Sequence, residues 1–258
     1  MSTASSRKGI YLLPNLITTG ALFAGFSAVV AAMDGNFVSA AVAIYIAMVL
    51  DGLDGRIARL TRTESQFGKE YDSLADMVSF GIAPALVFYQ WGAVQLKEYG
   101  DVWGRLGWVV AFFYAVAAAL RLARYNTRHA TSDKRFFEGL PSPSAAAVVS
   151  GVVWLGTKLG ATGFAAMVFG LLVTASAGAL MVSRVTYYSG RDLNLGGRIA
   201  YPYALLIPAV FIVISLNPPT VLFLLFFSYV VSGPAIALYR MIRRRRRRAR
   251  RRSEPEEI

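Results

Sequence analysis

The 258-residue sequence contains no cysteine and a single histidine, His129. Without cysteine the chain cannot form a disulfide framework, a thiolate zinc site, an iron–sulfur cluster or a cysteine nucleophile. One histidine excludes a histidine-rich metal site and argues against a Ser-His-Asp triad. Charge is also scarce, at 16% of residues against 55% hydrophobic, whereas soluble domains average about 25% charged residues. So little polar surface cannot cover a water-facing globule of this size, and the composition predicts an integral membrane protein.

Apolar stretches recur along the chain, separated by short breaks that contain Gly, Pro, Asn or Asp. Most stretches are near the roughly 20 residues that cross a bilayer, although the fifth and seventh are short. They predict an all-α, polytopic membrane protein with helices near 12–33, 37–61, 69–92, 103–126, 142–158, 162–183, 200–215 and 219–240.

Positive charge is concentrated on one side of this predicted topology. Lys and Arg number 27 against 15 acidic residues, and ten arginines lie between Arg240 and Arg252. With eight spans, 24 of the 27 cations fall on the side that holds both termini, which predicts cytoplasmic termini. The composition is typical of a prokaryotic protein, and we therefore expect the inner membrane. Six spans would give the same orientation. An arginine run directly after an apolar helix is typical of a segment that fixes topology and contacts anionic lipids, so we expect no nucleic-acid partner.

Four aspartates lie inside predicted membrane helices, where an uncompensated carboxylate is costly. Asp51 and Asp54 are three residues apart, and Asp72 and Asp76 are four apart, so each pair shares one face of its helix. A short connection joins the two helices, and we therefore expect them to be adjacent and antiparallel. All four carboxylates would then converge near the cytoplasmic surface of the membrane.

Convergent carboxylates repel one another, and three arrangements would compensate that repulsion. Divalent cations are one, and Mg²⁺ or Mn²⁺ suit oxygen ligands without histidine or cysteine; two such ions are a usual device for phosphoryl transfer. A structural charge network with Arg56, Arg59 and Arg62 is the second. The third is an ion pathway, as in a divalent-cation transporter. Spacing alone leaves all three open.

The segment from Asp51 to Asp76 resembles the signature of the CDP-alcohol phosphotransferase family at every fixed position. It reads Asp51-x-x-Asp54-Gly55-x-x-Ala58-Arg59, eight residues, then Gly68-x-x-x-Asp72-x-x-x-Asp76. Members of this family transfer a phosphatidyl-type group from a CDP-linked lipid to a small alcohol and release CMP. The resemblance implies six core helices around a polar cavity that opens to the cytoplasm and to lipid, and it implies a homodimer. We expect a cytoplasmic N-terminus (1–11), a six-helix catalytic core (12–183), a further transmembrane pair (184–240) and an arginine-rich cytoplasmic tail (241–258).

Four other segments resemble one branch of the family, the bacterial phosphatidylserine synthases; they are residues 10–18, 71–81, 121–126 and 137–143. This likeness implies transfer of the phosphatidyl group from CDP-diacylglycerol to the hydroxyl of L-serine. Sister enzymes that use glycerol 3-phosphate or inositol carry the same signature and remain the alternative. The intact signature argues against a catalytically inactive, structural relative.

The resemblance also implies roles for individual residues. Asp51 and Asp72 would bridge two divalent cations, Asp54 and Asp76 would each complete one site, and Asp76 would also act as the base. Contacts to the nucleotide and CDP-lipid would come from Gly55, Ala58, Arg59 and Gly68, with Ser65, Pro14, Asn15 and Thr18 as further candidates.

Recognition of serine requires a cation for its carboxylate. Arg121 and Arg124 lie three residues apart at the cytoplasmic end of the fourth predicted helix, and Asn126 follows them. These three residues are the candidates for acceptor binding. The alternative interpretation is a cluster of positive charge that only fixes topology.

Overall fold

The computed structural model describes residues 4–61, 63–127, 136–188, 208 and 211–253, and this part of the chain is almost entirely helical. We number its helices α1 (Ala4–Met33), α2 (Phe37–Thr61), α3 (Gln66–Tyr99), α4 (Asp101–Thr127), α5 (Ser142–Lys158), α6 (Phe164–Val182) and α7 (Pro218–Ser253). Residues 211–216 are also helical. Two three-residue strands, β1 (Phe136–Glu138) and β2 (Thr186–Tyr188), pair antiparallel with Phe137 opposite Tyr187.

The predicted all-α, polytopic membrane fold is confirmed. Six of the described helices, α1 to α4, α6 and α7, are long and apolar enough to cross a membrane, counting α1 from Leu13 and α7 to Arg243. Helix α5 has 17 residues and is short for a span, as the sequence predicted. The predicted helix at 200–215 lies mostly outside the described residues. Helix α7 runs past the predicted boundary at 240 because arginine is a good helix former.

Polar side chains cap the N-termini of α2 and α3, the two helices that carry the aspartates. The turn before α2 contains Gly35, whose positive φ of 75° favours glycine, and Asn36, whose side chain accepts a hydrogen bond from the Ser39 amide at 3.2 Å. Ser65 caps α3 by accepting from the Gly68 amide at 3.0 Å. Each cap satisfies an amide that the first turn of a helix leaves open. The short connection therefore returns the chain directly from α2 into α3.

Helix α5 lies at the centre of the bundle. Eleven of its 17 residues are buried, against α2, α3, α6 and α7. Small side chains allow this close packing: a Cβ at Gly156 would lie 2.3 Å from the Trp91 ring, and Ala145 and Ala146 are fully buried. Membrane helices approach closely at small residues because dispersion contacts, rather than the hydrophobic effect, hold them together in lipid.

The outward faces of the bundle are apolar. Phe23 and Phe26 on α1 and Trp108 and Phe112 on α4 are all more than half exposed. Lipid is the solvent that such a surface requires, because large exposed apolar areas are rare on soluble monomers.

Helix α3 contains two π-helical stretches, Met77–Ile82 and Tyr89–Ala93. The first begins directly after Asp76, so the helix widens beside the residue that the family resemblance implies as the base. Wide turns of this kind occur often at functional sites. The sequence predicted this helix over 69–92, and the structure extends it at both ends because Ser65 caps its start and its apolar pattern continues to Leu96.

Candidate active site

A cavity of about 540 Å³ opens at the end of the bundle where α2 ends and α3 begins. Helices α1 and α4 complete its wall. Eleven of the twelve residues predicted to bind the nucleotide or the metal line it: Pro14, Asn15, Thr18, Asp54, Gly55, Ala58, Arg59, Ser65, Gly68, Asp72 and Asp76. Asp51 is the twelfth and is not among the lining residues, whereas Asn126, a candidate for acceptor binding, is. The two signature segments therefore meet at one site, as their spacing predicted.

Three carboxylates form a compact group at this site. One oxygen each of Asp51, Asp72 and Asp76 lies within 4.8 Å of the others, and all three side chains are half-buried. The carboxyl groups of Asp51 and Asp76 are close enough to hydrogen-bond. Like charges held this close require a proton or a cation between them.

Asp54 differs from the other three aspartates. Its side chain is 5% exposed, and its Oδ2 accepts a hydrogen bond of 2.7 Å from the hydroxyl of Thr18 on α1. It lines the cavity but is not a member of the group within 4.8 Å. The expected convergence of all four carboxylates thus occurs for three of them, because a hydroxyl on a third helix holds the fourth.

The donor set fits a hard divalent cation. Every ligand atom in the acidic group is a carboxylate oxygen, and such ligands suit Mg²⁺ or Mn²⁺ far better than metals that prefer nitrogen or sulfur. Asp54 accepts a hydrogen bond from Thr18 with one oxygen and lines the same cavity. The acidic residues of α2 and α3 are therefore a candidate metal centre.

Gly68 lies at a crowded corner of the cavity between Ser65 and Asn15. A Cβ at this position would lie 3.1 Å from Ser65 Oγ and 3.3 Å from Asn15 Oδ1. Because only glycine leaves these two oxygens unobstructed, the corner has space for a ligand to reach polar groups of α1 and of the α3 cap.

The exposed side chain of Arg59 extends back along α2 over Gly55. A Cβ on Gly55 would lie 3.8 Å from Nη1 of Arg59 and 3.9 Å from Nη2 of Arg59. Arg56 is exposed too, and Arg62 lies outside the described residues. The guanidinium of Arg59 stands at the cavity wall, where a diphosphate could meet it.

Arg121 and Arg124 have different surroundings although they are one turn apart on α4. Arg121 is half-buried, donates a hydrogen bond of 2.6 Å to the Ser142 hydroxyl, and interacts electrostatically with Asp76. Arg124 points to the end of α6, where it donates to the carbonyls of Val182 at 2.9 Å and Ser183 at 3.4 Å. Helix carbonyls at a C-terminus are satisfied in this way, so Arg124 has a packing role in this structure.

Asn126 also belongs to the cavity wall. Its side-chain amide donates to the Ser73 hydroxyl at 2.9 Å, which joins α4 to α3 between Asp72 and Asp76. The three residues expected to bind the acceptor are thus separated: Asn126 lines the cavity, Arg121 lies behind it near Asp76, and Arg124 contacts α6.

Several residues that line the cavity were not predicted from the sequence: Thr63, Glu64, Gln66, Lys69, Ser73, Leu122 and Tyr125. Helical spacing contains a signal for two of them, because Lys69 precedes Asp72 by three residues and Ser73 precedes Asp76 by three. Ser142, the partner of Arg121, lies in the segment 137–143, which resembles the phosphatidylserine synthases but carries no other signal in the sequence. No local pattern connects it to Arg121, which is 21 residues away.

The sequence model of the CDP-alcohol phosphatidyltransferase family matches residues 11–185 of this chain. The CDP-diacylglycerol–serine O-phosphatidyltransferase of Helicobacter pylori is 40% identical over 182 residues, covering 69% of this chain and 72% of the relative. The Mycobacterium leprae protein of the same name is 30% identical over 240 residues, covering 90% and 77%. An archaetidylserine synthase of Methanothermobacter thermautotrophicus is 31% identical over 177 residues, covering 68% and 69%.

Proposed function

The chain belongs to the CDP-alcohol phosphatidyltransferase family, and from that premise we propose that it transfers the phosphatidyl group of CDP-diacylglycerol to the hydroxyl of L-serine, giving phosphatidylserine and CMP. The observation that carries the proposal is the group of Asp51, Asp72 and Asp76 within 4.8 Å, at a cavity lined by the family signature. The names of the relatives support serine as the acceptor.

Two divalent cations, Mg²⁺ or Mn²⁺, are part of this proposal. Asp51 and Asp72 would bridge them, Asp54 would complete one site and Asp76 the other. When bound, the cations would hold the diphosphate and offset the negative charge that develops on the CMP leaving group. The oxygen-only donor set supports this assignment.

Asp76 is the proposed general base. A serine hydroxyl is a poor nucleophile at neutral pH, and a carboxylate that takes its proton during attack lowers the barrier. The serine oxygen forms a bond to the lipid-side phosphorus, the bond from that phosphorus to the CMP oxygen breaks, and the proton goes to Asp76. We propose direct displacement, since the sequence, which lacks cysteine, contains no residue that stands out as the nucleophile for a covalent intermediate.

The nucleotide end of the donor is assigned to the wall built from α1, α2 and the α3 cap. Arg59 would pair with the diphosphate, while Gly55, Ala58 and Gly68 leave space for it to approach the backbone. Pro14, Asn15, Thr18 and Ser65 complete this wall. The acyl chains remain in the bilayer, so the cavity must open laterally to lipid.

The serine carboxylate is assigned to Arg121, and Asn126, which lines the cavity, is proposed as a second contact to the acceptor. Arg121 supports this role because its guanidinium lies near Asp76 and Ser142 accounts for only one of its five N–H donors among the described residues. Arg124 was an equal candidate in the sequence, but its contacts to α6 favour a packing role.

The wider setting of the enzyme is proposed from the charge pattern and the family. We propose that residues 12–183 form the catalytic core and 184–240 a further transmembrane pair. The excess of Lys and Arg on one side supports cytoplasmic termini and a cytoplasmic site in the inner membrane. The family resemblance supports a homodimer, which light scattering on the detergent-solubilised protein would test.

The proposal is tested by measuring CMP release from CDP-diacylglycerol with purified protein and Mn²⁺ or Mg²⁺. L-Serine, glycerol 3-phosphate and inositol are compared as acceptors. Release that depends on serine supports the proposal. Release with another alcohol moves the chain to a sister activity with the same site. If folded protein releases no CMP with any acceptor, uptake of Mn²⁺ into proteoliposomes tests the transporter alternative.

A further inference from the structure

The C-terminal helix α7 lies beyond the region that the family model matches, which ends at residue 185. It nevertheless reaches the catalytic end of the bundle. Helix α7 packs along α5, whose first residue, Ser142, accepts a hydrogen bond from Arg121. This packing connects α7 to the side chain proposed to bind the acceptor.

The contact that fixes α7 is built around Pro234. Proline has no amide hydrogen, so within a helix it leaves the carbonyl four residues earlier without its partner. That carbonyl belongs to Val230, and it accepts a hydrogen bond of 3.0 Å from the Tyr187 hydroxyl. In a membrane protein an unsatisfied buried carbonyl is costly, and Tyr187 removes that cost from outside the helix.

Gly233 makes space for this contact. A Cβ at this position would lie 2.3 Å from Cζ of Tyr187 and 2.8 Å from its hydroxyl oxygen, so any larger residue would displace the ring. Tyr187 is 1% exposed, and burial raises its pKa to about 12. The hydroxyl therefore keeps its proton at neutral pH and remains a donor.

Strand β2, which carries Tyr187, is itself tied to the acceptor side of the site. It pairs with β1, and the chain after β1 is held by Gly139, which donates to the Val185 carbonyl at 2.8 Å, and by Leu140, which donates to the Leu180 carbonyl at 3.0 Å. Two residues later, Ser142 accepts from Arg121. A second bond, from the Tyr229 hydroxyl to the Tyr188 carbonyl at 3.1 Å, ties α7 to the same strand.

We propose that Tyr187 is a positioning residue for the acceptor site: by bonding the Val230 carbonyl that Pro234 leaves open, it docks α7 against α5, whose Ser142 holds Arg121 near Asp76. Tyr187 touches neither substrate, and it acts through Arg121. The inference rests on the proposed function, because it assigns serine recognition to Arg121. It makes α7 part of the acceptor side of the site, although this helix lies outside the family-matched region.

The test is the steady-state kinetics of Tyr187→Phe, with the KM for serine and the KM for CDP-diacylglycerol measured separately. We expect the KM for serine to rise about fivefold, as loss of one buried hydrogen bond predicts, while the KM for CDP-diacylglycerol stays the same. Tyr239→Phe is the matched control, since Tyr239 is on the same helix and 65% exposed; it should leave both values unchanged.

A rescue distinguishes positioning from a general loss of stability. In Pro234→Ala the new alanine amide can donate a hydrogen bond to the Val230 carbonyl. Tyr187→Phe should therefore raise the KM for serine less than half as much in the Pro234→Ala background as it does in the wild-type protein. The proposal is overturned if Tyr187→Phe leaves that KM unchanged, if both KM values rise together, or if the effect is undiminished in the Pro234→Ala background.

Hydrogen exchange separates failure of this inference from failure of the proposed function. In Tyr187→Phe we expect faster amide exchange in α7 around Val230 and at the end of α4 around Arg121, a readout that needs no activity. If the wild-type protein is inactive but Tyr187→Phe shows this exchange pattern, the proposed function is contradicted and the positioning role of Tyr187 is not. Unchanged exchange at both places contradicts the positioning role, whatever the wild-type activity.

Discussion

Thr18→Val tests the link between the first helix and the metal centre. The substitution keeps the branched shape of the side chain and removes the hydroxyl that donates to Asp54 Oδ2 at 2.7 Å. Both side chains are at most 5% exposed. A hydrogen bond to a charged acceptor contributes about 1.5–3 kcal/mol, and loss of a bond that orients a metal ligand typically lowers metal affinity about 10- to 100-fold. We expect Mn²⁺ to bind at least about tenfold more weakly to this variant.

The assay is the electron paramagnetic resonance signal of free Mn²⁺ during titration of purified protein, with and without CMP. Thr18→Ser keeps the hydroxyl and should restore most of the affinity. Thr174→Val is the matched control, because Thr174 is 1% exposed and, within the described part of the chain, its hydroxyl bonds only the Gly170 carbonyl of its own helix, at 2.8 Å. Unchanged or tighter Mn²⁺ binding by Thr18→Val would refute the role assigned to this hydroxyl.

Two further predictions concern the two substrates. Arg121→Lys should raise the KM for serine about tenfold, because lysine cannot reproduce a bidentate carboxylate contact. Arg124→Lys should leave that KM unchanged and lower the unfolding temperature, since the hydrogen bonds of Arg124 cap α6. Equal effects of the two substitutions on the KM for serine would contradict the separate roles of the two arginines. Gly68→Ala should raise the KM for CDP-diacylglycerol, because its Cβ would lie 3.1 Å from Ser65 Oγ. The control is Gly52→Ala, where nothing lies within 4 Å of the added carbon, and a similar loss there would show that the effect is general.

Most of the fold could be predicted from the sequence, because a helix that crosses the bilayer must have a minimum length of apolar residues. Helices of about 20 apolar residues are readable from composition, and the signature located Asp51, Asp72 and Asp76 on two adjacent helices. The structure brings these three together, as helical spacing predicted. The two three-residue strands were not predicted, since such short segments carry no periodic pattern.

Contacts between segments that are distant along the chain could not be predicted from the sequence. The bond from Thr18 to Asp54 joins residues 36 positions apart, and no local spacing relates them. Arg121 and Arg124 look alike in the sequence, three residues apart in a basic stretch, and only packing distinguishes them. Tyr187 and Val230 illustrate the same limit: Pro234 indicates an open carbonyl in α7, but the sequence does not identify the hydroxyl that fills it.

The central claim is that this chain joins serine to the phosphatidyl group of CDP-diacylglycerol at the aspartate centre. The most direct measurement supplies ¹³C-labelled L-serine with Mn²⁺ and follows labelled phosphatidylserine by mass spectrometry together with released CMP. We predict equal amounts of the two products, both lost in Asp76→Asn, a substitution that keeps the size of the side chain and removes the base. CMP release without labelled lipid, or undiminished synthesis by folded Asp76→Asn, would contradict the account.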